Sequence, residues 1–505
     1  MASWDVGTRA WFPNPADGFI PGELVERKKL AADDSTSTVE TTEEALRDTH
    51  NPNLPPLMNP PMFEAAEDLT NLSHLNEPAI LQAIKLRYAQ KEIYTYSGIV
   101  LIATNPFARV DSLYVPQMVQ VYTGKQRNSQ APHLFAIAEE AYTDMLRDTR
   151  NQTVVVSGES GAGKTVSAKY IMRYFATRGT PGQSLKGSKS RADAISETEE
   201  QILATNPVME AFGNAKTTRN DNSSRFGKYI EIMFDKQTDI IGARIRTYLL
   251  ERSRLVFQPL KERNYHIFYQ LVAGATERER QELSLLPVDQ FEYLNQGGDP
   301  RIDGVDDAAE FNITKKAFTT INVSESTQRE IFKLLAALLH LGNVKITATR
   351  TDSSLSATEP SLEKACAILG LNAADFAKWI IKKQLVTRGE KIMSNLTQQQ
   401  ATVVRDSVAK FIYSSLFDWL VEIINRGLAT DAVLQQLHTF IGVLDIYGFE
   451  HFAKNSFEQF CINYANEKLQ QEFNQHVFKL EQEEYIREEI DWTFIDFSDN
   501  QPASI

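Results

Sequence analysis

The octapeptide Gly158-Glu159-Ser160-Gly161-Ala162-Gly163-Lys164-Thr165 constrains this chain more than any other stretch. It follows the β-rich run from Thr153 to Ser157 and precedes a helical pattern reaching Phe175. That is the strand, loop and helix order of a P-loop, in which glycines let successive backbone N–H groups turn inward on phosphates. The positive end of the following helix points at the same anion. In such a loop Lys164 reaches the β/γ-phosphate oxygens and the Thr165 hydroxyl ligates Mg²⁺. The expected ligand is a magnesium-bound nucleotide.

Other β-rich runs, Ser97 to Ala103, Tyr229 to Phe234, Ile240 to Leu249 and Thr439 to Asp445, are separated by long helical patterns. This predicts an α/β fold with a mixed, mainly parallel central sheet flanked by helices. Only the turn from Asp235 to Asp239 separates the second and third runs, so they form an antiparallel hairpin. Ahead of them, short apolar pieces between Val6 and Leu30 alternate with Pro and Gly and read as a small antiparallel β module. The Ser/Thr/Glu-rich stretch 33–46 is either its last strand or a loop, and the Pro-rich stretch 51–61 is a stiff connector. The boundary is expected near residue 62, giving domains 1–62 and 63–505. Stretches 178–194 and 347–359 read as irregular surface loops.

Composition excludes rather than identifies. A formal net charge of −13 argues against a nucleic-acid partner held by a broad basic field. Cys366 and Cys461 lack CxxC spacing, so neither a disulfide framework nor a zinc site is expected. The N-terminus carries no charged-then-apolar leader, and no apolar run approaches the roughly 20 residues of a membrane helix. The reading is a cytoplasmic chain without direct membrane insertion.

Coupling hydrolysis to a shape change requires two more loops that sense the γ-phosphate. The polar loop Asn220 to Gly227 offers hydroxyls for a Mg²⁺ shell, and Asp445 ends a buried strand ahead of Gly448 and Glu450. After Glu450 a capping box, Ser456-x-x-Gln459, opens a helix of about 30 residues. In it Phe457, Phe460, Tyr464, Phe473, Val477 and Leu480 recur as one expected buried stripe.

Three motifs in this order, GESGAGKT at 158–165, NDNSSRFGK at 220–228 and DIYGFE at 445–450, resemble the myosin motor domain. The resemblance extends through Asn105-Pro106-Phe107, the run Tyr248 to Arg254 and the run Asn455 to Gln471, and covers essentially residues 66–505. The opening run Val6 to Trp11 looks like the SH3-like β-barrel preceding many myosin motors, with wording most similar to class V.

The resemblance implies an ATP-dependent, actin-based motor head with an actin-activated Mg-ATPase. It implies that Gly158 to Thr165 form the phosphate loop, with Lys164 and the loop amides on the β/γ-phosphates. Thr165 and Ser224 would ligate Mg²⁺, with Asp445 in its second shell. Ser223 and the Gly448 amide would contact the γ-phosphate and position water, and Asn220 would reach the phosphates from the other side. Asn105, Pro106, Arg109 and Tyr114 match the adenine-side loop, which makes ATP the expected nucleotide. Arg225 (in switch I, 220–228) and Glu450 (in switch II, 445–450) would pair to close the pocket.

The helix at about 455–487 corresponds to the relay, with Trp492 near its far end. The stretch Lys382 to Ser394, including Glu390, resembles an actin-touching loop, while Lys186, Lys189 and Arg191 fall in a variable surface loop. Localisation to the actin cytoskeleton, in a myosin complex, follows from the same resemblance. The pattern departs from the family after Ile505, where converter, lever and tail would follow; light chains and cargo are expected only of a longer form. Two classes of function stay open: a motor head, or a non-motor remnant that binds nucleotide or actin without productive turnover.

Overall fold

A computed structural model describes residues 6–26, 29–32, 38–40, 54–178, 197–387, 390–450 and 455–493. The chain divides into two compact units, Met1–Thr143 and Asp144–Ile505. Lys186, Lys189 and Arg191 lie outside the described residues.

In the first unit, β1 (Arg9–Asn14), β2 (Gly18–Glu26), β3 (Lys29–Ala32) and β4 (Thr38–Glu40) form an antiparallel sheet in sequence order. Asn14 Oδ1 accepts from the Ala16 and Asp17 amides and fixes the β1–β2 turn. Alternation buries Ala10, Phe12, Leu24 and Leu30 in a small core covered by Leu54 and Leu57. The connector is less detached than its composition suggests. Trp11 N donates to Pro56 O and Met58 N to Arg9 O, so this segment lies along β1.

The run read as one strand from Ser97 to Ala103 is instead a hairpin, β5 (Tyr94–Ser97) against β6 (Val100–Ala103). Gly98 adopts φ +58 in the two-residue turn, a conformation that glycine takes without steric cost.

In the second unit the central sheet has the order β11 (Ile240–Tyr248), β10 (Gly227–Phe234), β16 (Thr439–Asp445), β7 (Gln152–Val156). Between β7 and β10 the two-residue pair β8 (Asn214–Ala215) and β9 (Ser223–Ser224) stands apart from it. The sheet is mixed, as expected, but not mainly parallel among the described strands. Only β7 pairs in parallel, with β16, whereas β10 runs antiparallel to both β11 and β16. The hairpin inserts β10 between β11 and β16, so its single reversal sets both antiparallel pairings.

Helices Lys164–Thr177, Glu197–Gly213 and Gln398–Leu428 pack on the sheet. Asn425 on the last grips β11 by accepting from Ile245 N and donating to Ile245 O. Buried rings fill the interior, with Phe226 edge-on to Phe417 at 5.1 Å and Tyr265 stacked on Tyr413 at 4.9 Å.

Stretch 347–359 is more regular than its composition suggests: β12 (Thr347–Ala348) pairs with β13 (Ser353–Ser354). Lys382 to Ser394 lies in a hairpin, β14 (Lys382–Thr387) against β15 (Glu390–Asn395). Among the described residues no helix is long and apolar enough to cross a membrane.

The long C-terminal helix corrects the expected stripe. It runs Phe457–Asn474, passes through a π turn at Gln475–Lys479 and continues as Leu480–Arg487. Phe457, Phe460, Tyr464, Phe473 and Leu480 are exposed, Phe457 by 75%. The buried side chains of the first segment are Gln459, Ile462 and Asn466. Polar anchors rather than the aromatic face seat this helix, because its amides complete hydrogen bonds that buried loop groups require.

Candidate nucleotide site

Sheet register brings two of the three loops together. β7 and β16 run side by side with Val156 opposite Asp445, so the loops leaving them emerge at the same sheet end. Gly158, Gly161 and Gly163 adopt φ +149, +85 and +92, which turns the 158–163 backbone in a way side chains resist. Gly163 is the N-cap of the helix carrying Lys164 and Thr165. Lys164 Nζ donates to Gly158 O and Glu159 O, both at 2.8 Å. Burial pulls this ammonium below the usual lysine range, and Asp445, Glu450 and Glu159 oppose the shift. Ala162 N closes a tight turn onto Glu159 O, around Ser160.

Switch II presses on the same backbone. A Cβ built on Gly448 would stand 2.1 Å from Gly158 O and 2.8 Å from Glu159 Cα, so only glycine permits the approach. Switch I arrives from β8 and β9: a Cβ on Gly161 would lie 3.5 Å from Arg219 O. Asn220 Oδ1 accepts from Asn222 N in an Asx turn that shapes this loop.

Arg225 is the electrostatic hub. Its fully buried guanidinium grips Glu450 with two parallel bonds, Nη1 to Oε1 at 2.6 Å and Nη2 to Oε2 at 2.9 Å. Nη1 also donates to Ser223 Oγ at 3.1 Å. The expected pair is therefore present, but a third partner joins it: Arg225 Nε donates to Glu251 Oε2 at 2.8 Å. Arg254 donates to the same oxygen and, through Nη1, to Glu262 Oε2 at 2.9 Å. Burial alone would raise the Glu251 carboxyl, yet Arg225 and Arg254 hold it at about 2. Glu251, Arg254 and Glu262 had no place in the sequence-predicted site. The run Tyr248 to Arg254 was the only signal for Glu251 and Arg254, and Glu262 had none.

The C-terminal helix plugs into this network. Gln459 Nε2 donates to Glu251 Oε1 at 3.0 Å, while its Oε1 accepts from Ser456 N as part of the expected capping box. Asn463 brackets Glu450, accepting from its N at 2.9 Å and donating to its O at 2.8 Å. Asn466 Nδ2 donates to Tyr447 O at 2.8 Å, and Tyr447 OH donates to Leu249 O. Gln459 showed in the sequence only through its capping box, and Asn463 and Asn466 carried no motif of their own.

The donor set suits a hard divalent cation. Thr165 and Ser224 supply hydroxyls, and Asp445, 2% exposed, leaves both carboxylate oxygens without a hydrogen bond. Lys228 Nζ lies 3.4 Å from Asp445 Oδ2. A buried carboxylate left open in this way, beside a loop whose backbone is turned for phosphate, fits a metal–phosphate group approached through waters.

The expected adenine-side residues belong to the first unit. Asn105 Oδ1 accepts from Phe107 N at 2.9 Å, Pro106 follows it, and Arg109 is exposed. Tyr114 hydrogen-bonds Tyr94 and lies against His133, with centroids 5.7 Å apart. The Trp492 ring lies 5.1 Å from that of Tyr485, edge to face. For Glu390 the backbone pairing to Thr387 is described and the side chain is not.

A family profile described as "Myosin head (motor domain)" matches residues 66–504. Similar proteins include "Myosin-2A" of Naumovozyma castellii, 64% identical over 99% of this chain and 32% of that protein. "Myosin-2" of Saccharomyces cerevisiae is 62% identical over 99% of this chain and 32% of its own length. "Myosin-52" of Schizosaccharomyces pombe is 51% identical over 98% of this chain and 33% of its own length. The chain thus spans about a third of the length of these curated relatives.

Proposed function

The chain belongs to the myosin head (motor domain) family, and from that premise we propose that it binds Mg·ATP and hydrolyses it in coupling to actin filaments. The observation that carries this reading is the buried, bidentate Arg225–Glu450 pair, which joins switch I to switch II beside the phosphate loop. The pair closes one side of the site and excludes bulk water, which strengthens every remaining electrostatic contact there.

Within this proposal the 158–165 amides and Lys164 hold the β/γ-phosphates, and Asn220 approaches from the opposite side. Ser223, aligned by Arg225, and the Gly448 amide orient the γ-phosphate and the attacking water. Thr165 and Ser224 would hold Mg²⁺, with Asp445 reaching it through water. Bound there, the cation would neutralise phosphate oxygens as charge develops. The family resemblance alone would give Asn105, Pro106, Arg109 and Tyr114 the adenine side.

Movement of 445–450 would be passed to the C-terminal helix through Asn463 and Asn466, and Trp492 would report it by fluorescence. Actin contact through the hairpin Lys382 to Ser394, including Glu390, belongs to the same proposal, as does a place in a cytoplasmic, actin-associated myosin complex. So do residues 1–62 as an SH3-like module, 63–505 as motor-head sequence, and class V kinship. The four-stranded antiparallel sheet supports the first of these, and the wording from Val6 to Trp11 supports the last.

Single-turnover hydrolysis of Mg·ATP by the 505-residue chain, with and without actin filaments, tests the reading against Lys164→Ala. Turnover that actin accelerates is expected. Binding without turnover would favour the non-motor alternative.

A further inference from the structure

Ser224 has a hydrogen-bond partner whose orientation can be deduced. Its Oγ lies 3.1 Å from Asn214 Oδ1, across the β8–β9 pair in which the two residues stand opposite each other. Asn214 is fully buried, and its Nδ2 donates to Asn222 Oδ1 at 3.0 Å. Asn222 Nδ2 donates in turn to Glu210 Oε2 at 3.0 Å, and Glu210 Oε1 pairs with Lys169. Lys169 lies one helical turn after Thr165, on the same face of the phosphate-loop helix.

A carboxylate paired with lysine only accepts, so it sets the direction of the whole chain. Asn222 must turn its NH₂ to Glu210 and its oxygen to Asn214. Asn214 must then turn its NH₂ to Asn222 and its oxygen to Ser224, whose hydroxyl is left to donate. His266 Nε2, 3.1 Å from Asn222 Oδ1, fits as a second donor to that oxygen. Burial first, then Arg263 and Arg254, keep this ring neutral, with a pKa of about 3. A hydroxyl that donates its proton sideways keeps its oxygen lone pairs for a cation, the usual relation between a metal ligand and the group that orients it.

We propose that Asn214, aligned by Asn222 and Glu210, is a positioning residue for the metal of the nucleotide site: it accepts the Ser224 proton so that Oγ faces Mg²⁺, and through Lys169 it ties Ser224 to the helix carrying Thr165. This rests on the Mg-nucleotide reading above and adds Asn214, Glu210 and Lys169, which lie outside its three motifs.

The test measures ADP affinity of the full chain by calorimetry, in EDTA and across a Mg²⁺ series. In Asn214→Leu the Mg²⁺ concentration that half-restores tight binding should rise about tenfold or more, while affinity in EDTA is unchanged. Asn222→Ala, at an exposed side chain, should shift the same way by less, and it reads the proposal if Asn214→Leu does not fold. In a Ser224→Ala background Asn214→Leu should add nothing. An unchanged Mg²⁺ requirement in folded Asn214→Leu, equal weakening with and without metal, or additivity with Ser224→Ala would each overturn the proposal. A wild-type chain whose ADP affinity ignores Mg²⁺ would instead overturn the underlying reading, and with it the proposal.

Discussion

The nucleotide loops and the helix that starts at Phe457 meet at Glu450, yet they fold by opposite rules. In the loops, backbone geometry is fixed by residues that permit close approach: Gly448 against Gly158, and the positive-φ glycines before Lys164. In the helix, the obvious pattern of Phe457, Phe460 and Tyr464 is exposed, and the seat is made by Gln459, Asn463 and Asn466. Apolar periodicity reports which residues can share a face, whereas buried polar groups in need of partners decide which face is used here.

Loops and helix share one carboxylate at Glu251, and its loss should have the largest effect. Glu251→Ala strands Arg225 and Arg254 beside fewer acids and should destabilise the second unit by about 3–5 kcal/mol, measured by urea unfolding. Because the folded carboxyl sits at about 2, its stabilising contribution is full above the unfolded value and is lost as pH falls from about 4.5 towards 2. The wild type should therefore lose stability across that window more steeply than Glu251→Gln.

Next in size, Gly448→Ala places a methyl group on Gly158 O, and displacing either loop should lower single-turnover hydrolysis roughly 100-fold. Wild-type rates would refute the close approach. Asn463→Ala removes both bonds to the Glu450 backbone and should cost about 1–3 kcal/mol in urea unfolding. A cost at Phe460 instead of Asn463 would reverse the assignment of the seated face. Phe460→Ser, on the exposed stripe, should change stability by less than about 0.5 kcal/mol in the same assay.

Much of the site was legible because its chemistry is local. A strand, a glycine-rich octapeptide and Lys164 with Thr165 sit within one short stretch, and the Arg225–Glu450 pair follows from two recognisable loops. Glu251 with Gln459, and Asn214 with Glu210, were not legible. The contact each makes comes from a partner brought close by folding: Glu251 and Gln459 lie far apart in sequence, and Asn222 links Asn214 to Glu210, while the capping box of Gln459 says nothing of Glu251. The fold divided in the same way. Strand positions showed in the β-rich runs, but the direction of β10 beside β16 leaves no trace in composition. Gly98 interrupted a run that otherwise reads as a single strand.

The most direct test of the central claim, that the buried pair joins switch I and switch II into a working site, is single-turnover Mg·ATP hydrolysis by wild type, Arg225→Glu, Glu450→Arg and the double exchange. The account predicts turnover in the wild type, its loss in both single variants and partial recovery in the exchange. Recovery is partial because Glu251 would then face a glutamate at 225. Equal loss in all three variants would contradict it.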